Sequence, residues 1–362
     1  MSTITQHVDL VQPLLTKHPG FRLWSEAPPN GEPALELLGE DRLTPTELFY
    51  VRCHGPIPVL ETSHRLVVDG LVERPLELGV DELRVRFPRA ETTATLHCAG
   101  NRRIELAEVA PIDGETPWHQ AAIGNARWAG VRLCDVLAAA GVAEDARHVE
   151  LVGSDESGEF GDGAAFGGSV PLAAALEPRA LLAFEMNGEP LPREHGFPLR
   201  AIVPGYIGAR SVKWLERITV LAEPSRNPFH ARSYKVFPPD VTAADADWER
   251  AAPLGESPLN SVICRVDATG ASGWACAGGD RVVERVEVGV DGAWRAAELV
   301  GKQVPGAWRL WRTRLDLRPG DHELVVRAWD SSGATQPEHV VPLWNFKGYA
   351  NNAWHRVRVS VP

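Results

Sequence analysis

Residues 95–105 read TLHCAGNRRIE. The segment ATLHC predicts a short apolar strand that ends at Cys98, and Gly100–Asn101 predict a turn directly after it. Arg102 and Arg103 follow, and their planar donor groups suit oxyanions. Adjacent cations favour the thiolate of a cysteine, which suits a soft, high-valent metal centre. On these residues alone the commoner interpretation is a small buried hydrophobic residue, so both readings of Cys98 stay open.

Around this stretch the chain reads as strands mixed with short helices and long loops. Strands are predicted at HRLVVDGLV, RHVELVG, LRAIVPG and VKWLERITVL. Helices are predicted at VRLCDVLAAAGV, which should end at Gly141, and at SVPLAAALEP, which Ser169 should open. The mixture predicts an α+β domain over residues 1–235, whose first ~20 residues are expected to form a mobile or docking arm.

The composition changes after this domain. The segment SYKVFPPDVTAADADWERAAPLGESP is rich in Pro, Ala and Asp, as a linker is. Beyond it RVVERVEVGV and HELVVRAWD alternate apolar and polar residues, with turn signals at Asp291–Gly292 and Pro319–Gly320. Residues 236–362 are therefore expected to form an all-β, immunoglobulin-like sandwich.

Charge and cysteine content limit the possible functions and locations. The 362 residues carry a formal net charge of −11, which disfavours binding to nucleic acid. The five cysteines form no CxxC pair, which argues against a disulfide framework or a zinc site and favours a reducing compartment. The N-terminus shows no secretory signal, and no stretch predicts a membrane span. A cytoplasmic location is expected, or a periplasmic one if a signal has been trimmed.

Several blocks together resemble one protein family. HCAGNRR closely resembles the molybdenum-ligand motif of the sulfite oxidase family, which also includes the molybdenum domain of eukaryotic nitrate reductases. TELFYVRCHGPIPVL is similar to the pterin-contact segment of that family. Further similar blocks occur in the family's order: GSDESG, NGEPLPREHGFPLRAIVPGYIGARSVKWLERI, SYKVFPP, DGAWRAAEL and WNFKGYANNAWHRV. The resemblance therefore covers nearly the whole chain.

This resemblance implies a molybdenum–molybdopterin cofactor and a role for each matched residue. Cys98 would be the protein ligand of molybdenum. The residues that hold the pterin and its phosphate would be Tyr50, Arg52, His54, Asp155, His195, Arg200, Ser211 and Lys213. The substrate pocket would consist of Arg52, Arg103, Trp118, Tyr234 and Lys347. Taken singly, each of these residues has an ordinary structural explanation; the ordered match favours the functional one.

The chain also departs from the family. It has no CxxCH motif and no room for a cytochrome b5 module, so no haem is expected and electrons should leave to oxygen or a separate redox protein. Lys347 stands where sulfite oxidases usually have Arg, which keeps the charge but loses the bidentate fork. Asp113 lies near the position of a pocket-mouth Lys, where a carboxylate would oppose anion entry.

The resemblance implies that sulfite is oxidised to sulfate by oxygen-atom transfer, with the sandwich domain mediating homodimerisation. The alternative within the family is a reductase of nitrate or another small oxide. Relatives that reduce nitrate tend to be uncharged at the position of Lys347, so a cation there favours sulfite. A different class, a binding or adhesion module built on the sandwich, would be folded and free of metal.

Overall fold

The computed structural model describes residues 14–161 and 163–362. In the first part of the chain the strands are β1 (Phe21–Glu26), β2 (Pro29–Pro33), β3 (Val51–Arg52), β4 (Arg65–Gly70), β5 (Leu76–Gly79), β6 (Arg89–His97), β7 (Ile123–Arg132), β8 (His148–Ser157), β9 (Ala164–Pro171), β10 (Leu181–Met186), β11 (Glu189–Pro190), β12 (Arg200–Ile202) and β13 (Leu215–Leu221). The α-helices are α1 (Val80–Arg86), α2 (Arg103–Ala107), α3 (Leu133–Ala140) and α4 (Leu172–Ala175). Short 3-10 helices lie at Leu35–Leu37, Thr46–Leu48, Gly158–Phe160, Arg193–His195, Gly208–Arg210 and Val341–Leu343, and a π-helical turn lies at Phe229–Ser233.

These strands form three sheets. One holds β1, β2 and β3; a second has the order β11-β10-β7-β6, with β12 also paired to β10; the third has the order β5-β4-β13-β8-β9. Strands β4 and β13 pair in parallel, and the other pairs in these sheets are antiparallel. The expected α+β domain is confirmed, with sheet rather than helix as its main component.

One helix follows its prediction and another does not. Helix α3 ends at Gly141, which adopts a positive φ of 74° as a C-terminal glycine should. The prediction that Ser169 opens a helix is wrong: Ser169 lies in β9 opposite Glu150 of β8, and its hydroxyl accepts a hydrogen bond from the Ser225 N–H. The helical turn begins only after Pro171, because sheet pairing satisfies the backbone up to that point.

The last third of the chain forms the predicted sandwich. Its strands are β14 (Asn260–Asp267), β15 (Gly270–Cys276), β16 (Val283–Val290), β17 (Ala293–Ala296), β18 (Glu298–Val300), β19 (Arg309–Arg314), β20 (Gly320–Asp330) and β21 (His355–Val361). They form two four-stranded sheets of order β14-β15-β19-β18 and β17-β16-β20-β21. The alternation in β16 and β20 places Val286, Val288, Leu324, Val326 and Ala328 in one core between the sheets, and all five are fully buried.

The sandwich packs directly against the turn that follows Cys98. Arg102 is completely buried there, and its guanidinium donates to the Asn260 Oδ1 and to the Ala353 carbonyl at 2.8 Å each. The expected boundary at residues 235/236 stays a prediction, because the segment after Tyr234 runs irregularly across the first domain. Among the described residues there is no helix of the length and apolar character needed to cross a membrane.

Candidate active site

A cleft gathers side chains from distant parts of the first domain. Strand ends supply them: β3 carries Arg52, β6 ends next to Cys98, β8 carries Asp155 and β12 begins with Arg200. Ten residues predicted from sequence line this cleft together: Tyr50, Arg52, His54, Cys98, Asp155, His195, Arg200, Ser211, Lys213 and Tyr234. Positions up to 184 residues apart in the chain therefore converge because three different sheets direct their strand ends to one place.

The turn after β6 presents the Cys98 thiol to the cleft. The positive φ in this turn falls at Arg102, with a value of 66°. Gly100 is needed because an added Cβ would lie 2.5 Å from the Arg103 Nη2. Burial raises the pKa of the Cys98 thiol, although Arg103 and Arg52 oppose that shift. The adjacent cations therefore favour the thiolate, as expected, but burial outweighs them in the protein alone. A bound metal ion would have to displace the thiol proton.

Cations and donors converge at the end of the cleft that is formed by residues 194–213. Arg200 donates to the His195 carbonyl at 2.8 Å and to the Ser211 carbonyl at 2.9 Å. Lys213 donates to the Glu194 carbonyl at 2.9 Å and contacts the Cys53 Sγ at 3.1 Å. Burial lowers the pKa of Arg200 to about 10, and the buried Nε of Arg200 has no partner within residues 14–161 and 163–362. A buried cation with a free donor fits an anionic group such as a phosphate.

The cleft fits the molybdenum–molybdopterin cofactor that the resemblance implies. The Asp155 Oδ1, like the Arg200 Nε, is buried without a partner among the described residues, and burial raises the pKa of Asp155 to about 6. Gly208 keeps a wall of the cleft open, since an added Cβ would lie 2.5 Å from the Tyr50 hydroxyl. The soft thiol matches a metal ion, the carboxyl acceptor of Asp155 matches a polar heterocycle, and the cationic end matches a phosphate.

Replacing Arg200 with Met should separate cofactor binding from folding. We expect bound pterin and molybdenum to fall at least about tenfold, because the charge-assisted contacts to the phosphate are lost. The cofactor-free protein should stay folded but lose some thermal stability, because the His195 and Ser211 carbonyls lose a buried donor. Pterin fluorescence after denaturation and metal analysis measure the first effect, and calorimetry of the cofactor-free protein measures the second. An undiminished pterin content would contradict the assignment, and Arg200→Lys should retain part of it.

A polar chain surrounds the opposite part of the cleft. The His54 Nε2 lies 2.8 Å from the Tyr234 hydroxyl, and its Nδ1 lies 2.9 Å from Glu159 and 3.1 Å from Arg52. Burial, aided by the charge of Arg52, lowers the pKa of His54 to about 3, so its imidazole is neutral. Burial also raises the pKa of Tyr234 well above its usual value, which keeps the phenol protonated and able to donate a hydrogen bond.

Three predicted substrate residues do not line this cleft. Trp118 is fully buried and packs edge-on against Tyr50, with the two ring centroids 6.4 Å apart. It therefore supports the wall of the cleft from behind Tyr50. Arg103 and Lys347 lie beside the turn after Cys98. Asp113 is exposed. The expectation that Asp113 provides the opposing carboxylate is corrected by the geometry, because the acidic side chain that reaches both pocket cations is Glu115.

Two further contacts were not predicted from sequence. Lys17 reaches into the cofactor region, where its Nζ lies 2.9 Å from the His195 Nε2; burial lowers the pKa of Lys17 to about 8. Tyr349 stacks on Tyr234, with ring centroids 5.4 Å apart and planes 10° apart. Lys17 lies in no matched block, and Tyr349 lies in the matched block WNFKGYANNAWHRV but had no role assigned to it. Lys17 lies within the expected N-terminal arm, of which residues 1–13 are outside the described part.

Comparisons with known proteins agree with this site. The family described as "Oxidoreductase molybdopterin binding domain" matches residues 54–229, and the "Mo-co oxidoreductase dimerisation domain" matches residues 256–362. Sulfite oxidase from Gallus gallus is 44% identical over 358 residues, which cover 94% of this chain and 78% of that protein. Sulfite oxidase from Arabidopsis thaliana is 39% identical and covers 94% of each chain.

A solved structure shows the same architecture. The sulfane dehydrogenase SoxCD from Paracoccus pantotrophus superposes with a TM-score of 0.79 at 26% identity, covering 99% of this chain and 93% of that chain. The sequence identity and the shared architecture extend over both the domain that holds the cleft and the sandwich. Each of the two family models matches one of these domains. The chain therefore belongs to the sulfite oxidase family of molybdopterin-dependent oxidoreductases.

Proposed function

We propose that this protein oxidises sulfite to sulfate with a molybdenum–molybdopterin cofactor. The observation that carries the proposal is the cleft itself, which the Cys98 thiol lines together with the cations Arg52, Arg200 and Lys213. The relatives named sulfite oxidase, at 39% and 44% identity over almost the whole chain, support sulfite as the substrate.

When bound, the cofactor supplies oxygen-atom transfer and takes up two electrons. The protein holds it in place: Cys98 provides the metal ligand, while Arg200, Lys213 and Ser211 hold the phosphate. Asp155 can accept hydrogen bonds from the pterin, since its Oδ1 has no partner among the described residues. These contacts fix the position of the reacting centre relative to the substrate pocket, which is the main contribution a protein makes in such a reaction.

The substrate side of the cleft provides charge and one hydrogen-bond donor. Arg52 lines the cleft, and Arg103 and Lys347 flank it, so three cations lie around the approach of an oxyanion. Tyr234 keeps its proton and can donate to an oxygen of the substrate. A doubly charged anion gains more from these cations than a singly charged one does, which favours sulfite over nitrate.

The proposal also includes the electron acceptor, the oligomeric state and the cellular location. The two electrons would pass to oxygen or to a separate redox protein, and the sandwich domain, which matches a dimerisation domain, would join two copies. A reducing compartment, the cytoplasm, is supported by the five free cysteines. Fractionation that placed the protein in an oxidising compartment would contradict the last point.

Anaerobic addition of sulfite to the molybdenum-loaded protein tests the function. We expect stoichiometric sulfite to bleach the visible absorbance of the metal–thiolate centre, with one sulfate formed per centre. Sulfate and nitrate serve as controls and should leave the oxidised spectrum unchanged. If loaded protein shows no change with sulfite, the substrate assignment is wrong, and dye-driven reduction of nitrate and other oxides becomes the next assay.

A further inference from the structure

A single carboxylate bridges the two cations that flank the cleft. Glu115 forms an ion pair with the Lys347 ammonium, and its Oε2 lies 3.4 Å from the Arg103 Nη2. All three side chains are largely buried, with exposed fractions of 4% for Arg103, 15% for Glu115 and 17% for Lys347. Solvent therefore screens this cluster less than it screens an ordinary surface ion pair.

Glu115 also forms an ion pair with the end of the Arg103 guanidinium that the backbone carbonyls leave open. The Arg103 Nε donates to the Lys347 carbonyl at 3.1 Å and to the Gly348 carbonyl at 3.3 Å, and its Nη1 donates to the Thr116 carbonyl at 2.7 Å. The Nη2 is then the terminal nitrogen left for a carboxylate or an oxyanion, and Glu115 faces it. An oxyanion that reaches Arg103 must compete with this carboxylate, because both seek the same donor.

The cluster belongs to the wall of the active site. The Ala350 N–H donates to the Ala99 carbonyl at 2.8 Å, which joins the Lys347 loop to the turn that carries Cys98. Tyr349, from the same loop, stacks on Tyr234, which lines the cleft. A change in the position of Glu115 therefore acts on the charge that an anion meets beside Cys98 and Tyr234.

We propose that Glu115 is a specificity-determining residue, an internal carboxylate that occupies the anion position between Arg103 and Lys347 and that the substrate must displace. The proposal rests on the proposed oxidation of sulfite. A doubly charged oxyanion competes with a carboxylate for two cations more effectively than a singly charged one. Glu115 lowers the affinity for all anions, and its negative charge lowers the affinity for a dianion such as sulfite or sulfate more than the affinity for nitrate, because the repulsion increases with the charge of the anion.

The test replaces Glu115 with Gln, which keeps the shape and removes the charge. In loaded protein we expect the KM for sulfite to fall about tenfold while kcat changes less than about threefold, since ground-state anion binding gains a contact. Inhibition by sulfate should strengthen by a larger factor than inhibition by nitrate, because sulfate carries the larger charge. Calorimetric binding of sulfate and nitrate to the oxidised protein provides a readout that does not depend on turnover.

Two control variants test whether the effect depends on the charge at position 115. Asp113→Asn removes the same charge from an exposed position in the same loop, and it should change anion binding less than about twofold. Glu115→Asp keeps the charge and should stay close to the wild-type affinities. Unchanged sulfate and nitrate binding in Glu115→Gln, or an equal gain in Asp113→Asn, would overturn the proposal. The two proposals can fail separately. If the anion affinities of the variants rank as expected but sulfite is not oxidised, the proposed function is wrong and the role of Glu115 in anion binding is retained.

Discussion

Cys98→Ser is expected to lower sulfite oxidation at least about a thousandfold, equivalent to ~4 kcal/mol of transition-state stabilisation. The thiol is the soft ligand that this cleft presents to a metal, and a serine hydroxyl is harder and far less acidic. The fold should survive, because the two side chains differ by one atom. Steady-state oxidation with an artificial acceptor measures the loss, and metal analysis distinguishes an empty site from an inactive one.

Cys134→Ser is the matched control. Cys134 lies on α3, partly exposed and outside the cleft, and its replacement should leave turnover unchanged. Cys98→Ser protein that retained wild-type turnover would show that Cys98 is a packing residue, which is the ordinary explanation for a cysteine after a strand. Loss of molybdenum with retained pterin would support direct ligation by the thiolate.

Arg103→Ala is expected to lower kcat/KM for sulfite by about 10²–10³, the range seen when one donor to a developing anion is removed. The variant loses a cation beside the reacting centre and leaves the Glu115 carboxylate paired with Lys347 alone. Both changes oppose an approaching anion. Kinetics over a range of sulfite concentrations measure the effect and divide it between kcat and KM.

The neighbouring arginine provides the contrast. Arg102 is completely buried, pairs with Glu105 at 2.7 Å and holds the sandwich through Asn260 and Ala353. Arg102→Ala should therefore lower thermal stability, because it leaves a buried carboxylate without its partner. Unchanged sulfite kinetics in Arg103→Ala would remove Arg103 from the pocket. Partial recovery of kcat/KM in the double variant Arg103→Ala with Glu115→Ala would show how much of the loss comes from the Glu115 carboxylate after Arg103 is removed.

The adjacent pair Arg102–Arg103 shows the limit of what a motif predicts. Both side chains offer the same donors, and nothing in HCAGNRR assigns one to the pocket and the other to the core. The positive φ at Arg102 turns the chain so that Arg102 points into the contact with the sandwich and Arg103 points toward the Lys347 loop. The backbone conformation of the folded protein therefore determines which of the two arginines faces the pocket.

By itself the sequence determined the elements whose signals are local. The alternation around Val286 and Leu324, the end of a helix at Gly141 and the strand that stops before Cys98 all depend on residues close together in the chain. The ordered blocks also identified ten residues that line the cleft, although Arg103, Trp118 and Lys347, predicted with them, lie outside its lining.

Tertiary structure alone decided the charge state and the contacts of those residues. Burial reverses the expected shift of the Cys98 pKa, and no local pattern reveals how deeply a thiol is buried. Glu115 lies 232 residues before Lys347, and Lys17 lies 178 residues before His195. Such pairs form only when separate sheets and loops pack together. The sequence thus determined which groups are available, and packing determined which of them meet and how strongly their charges act.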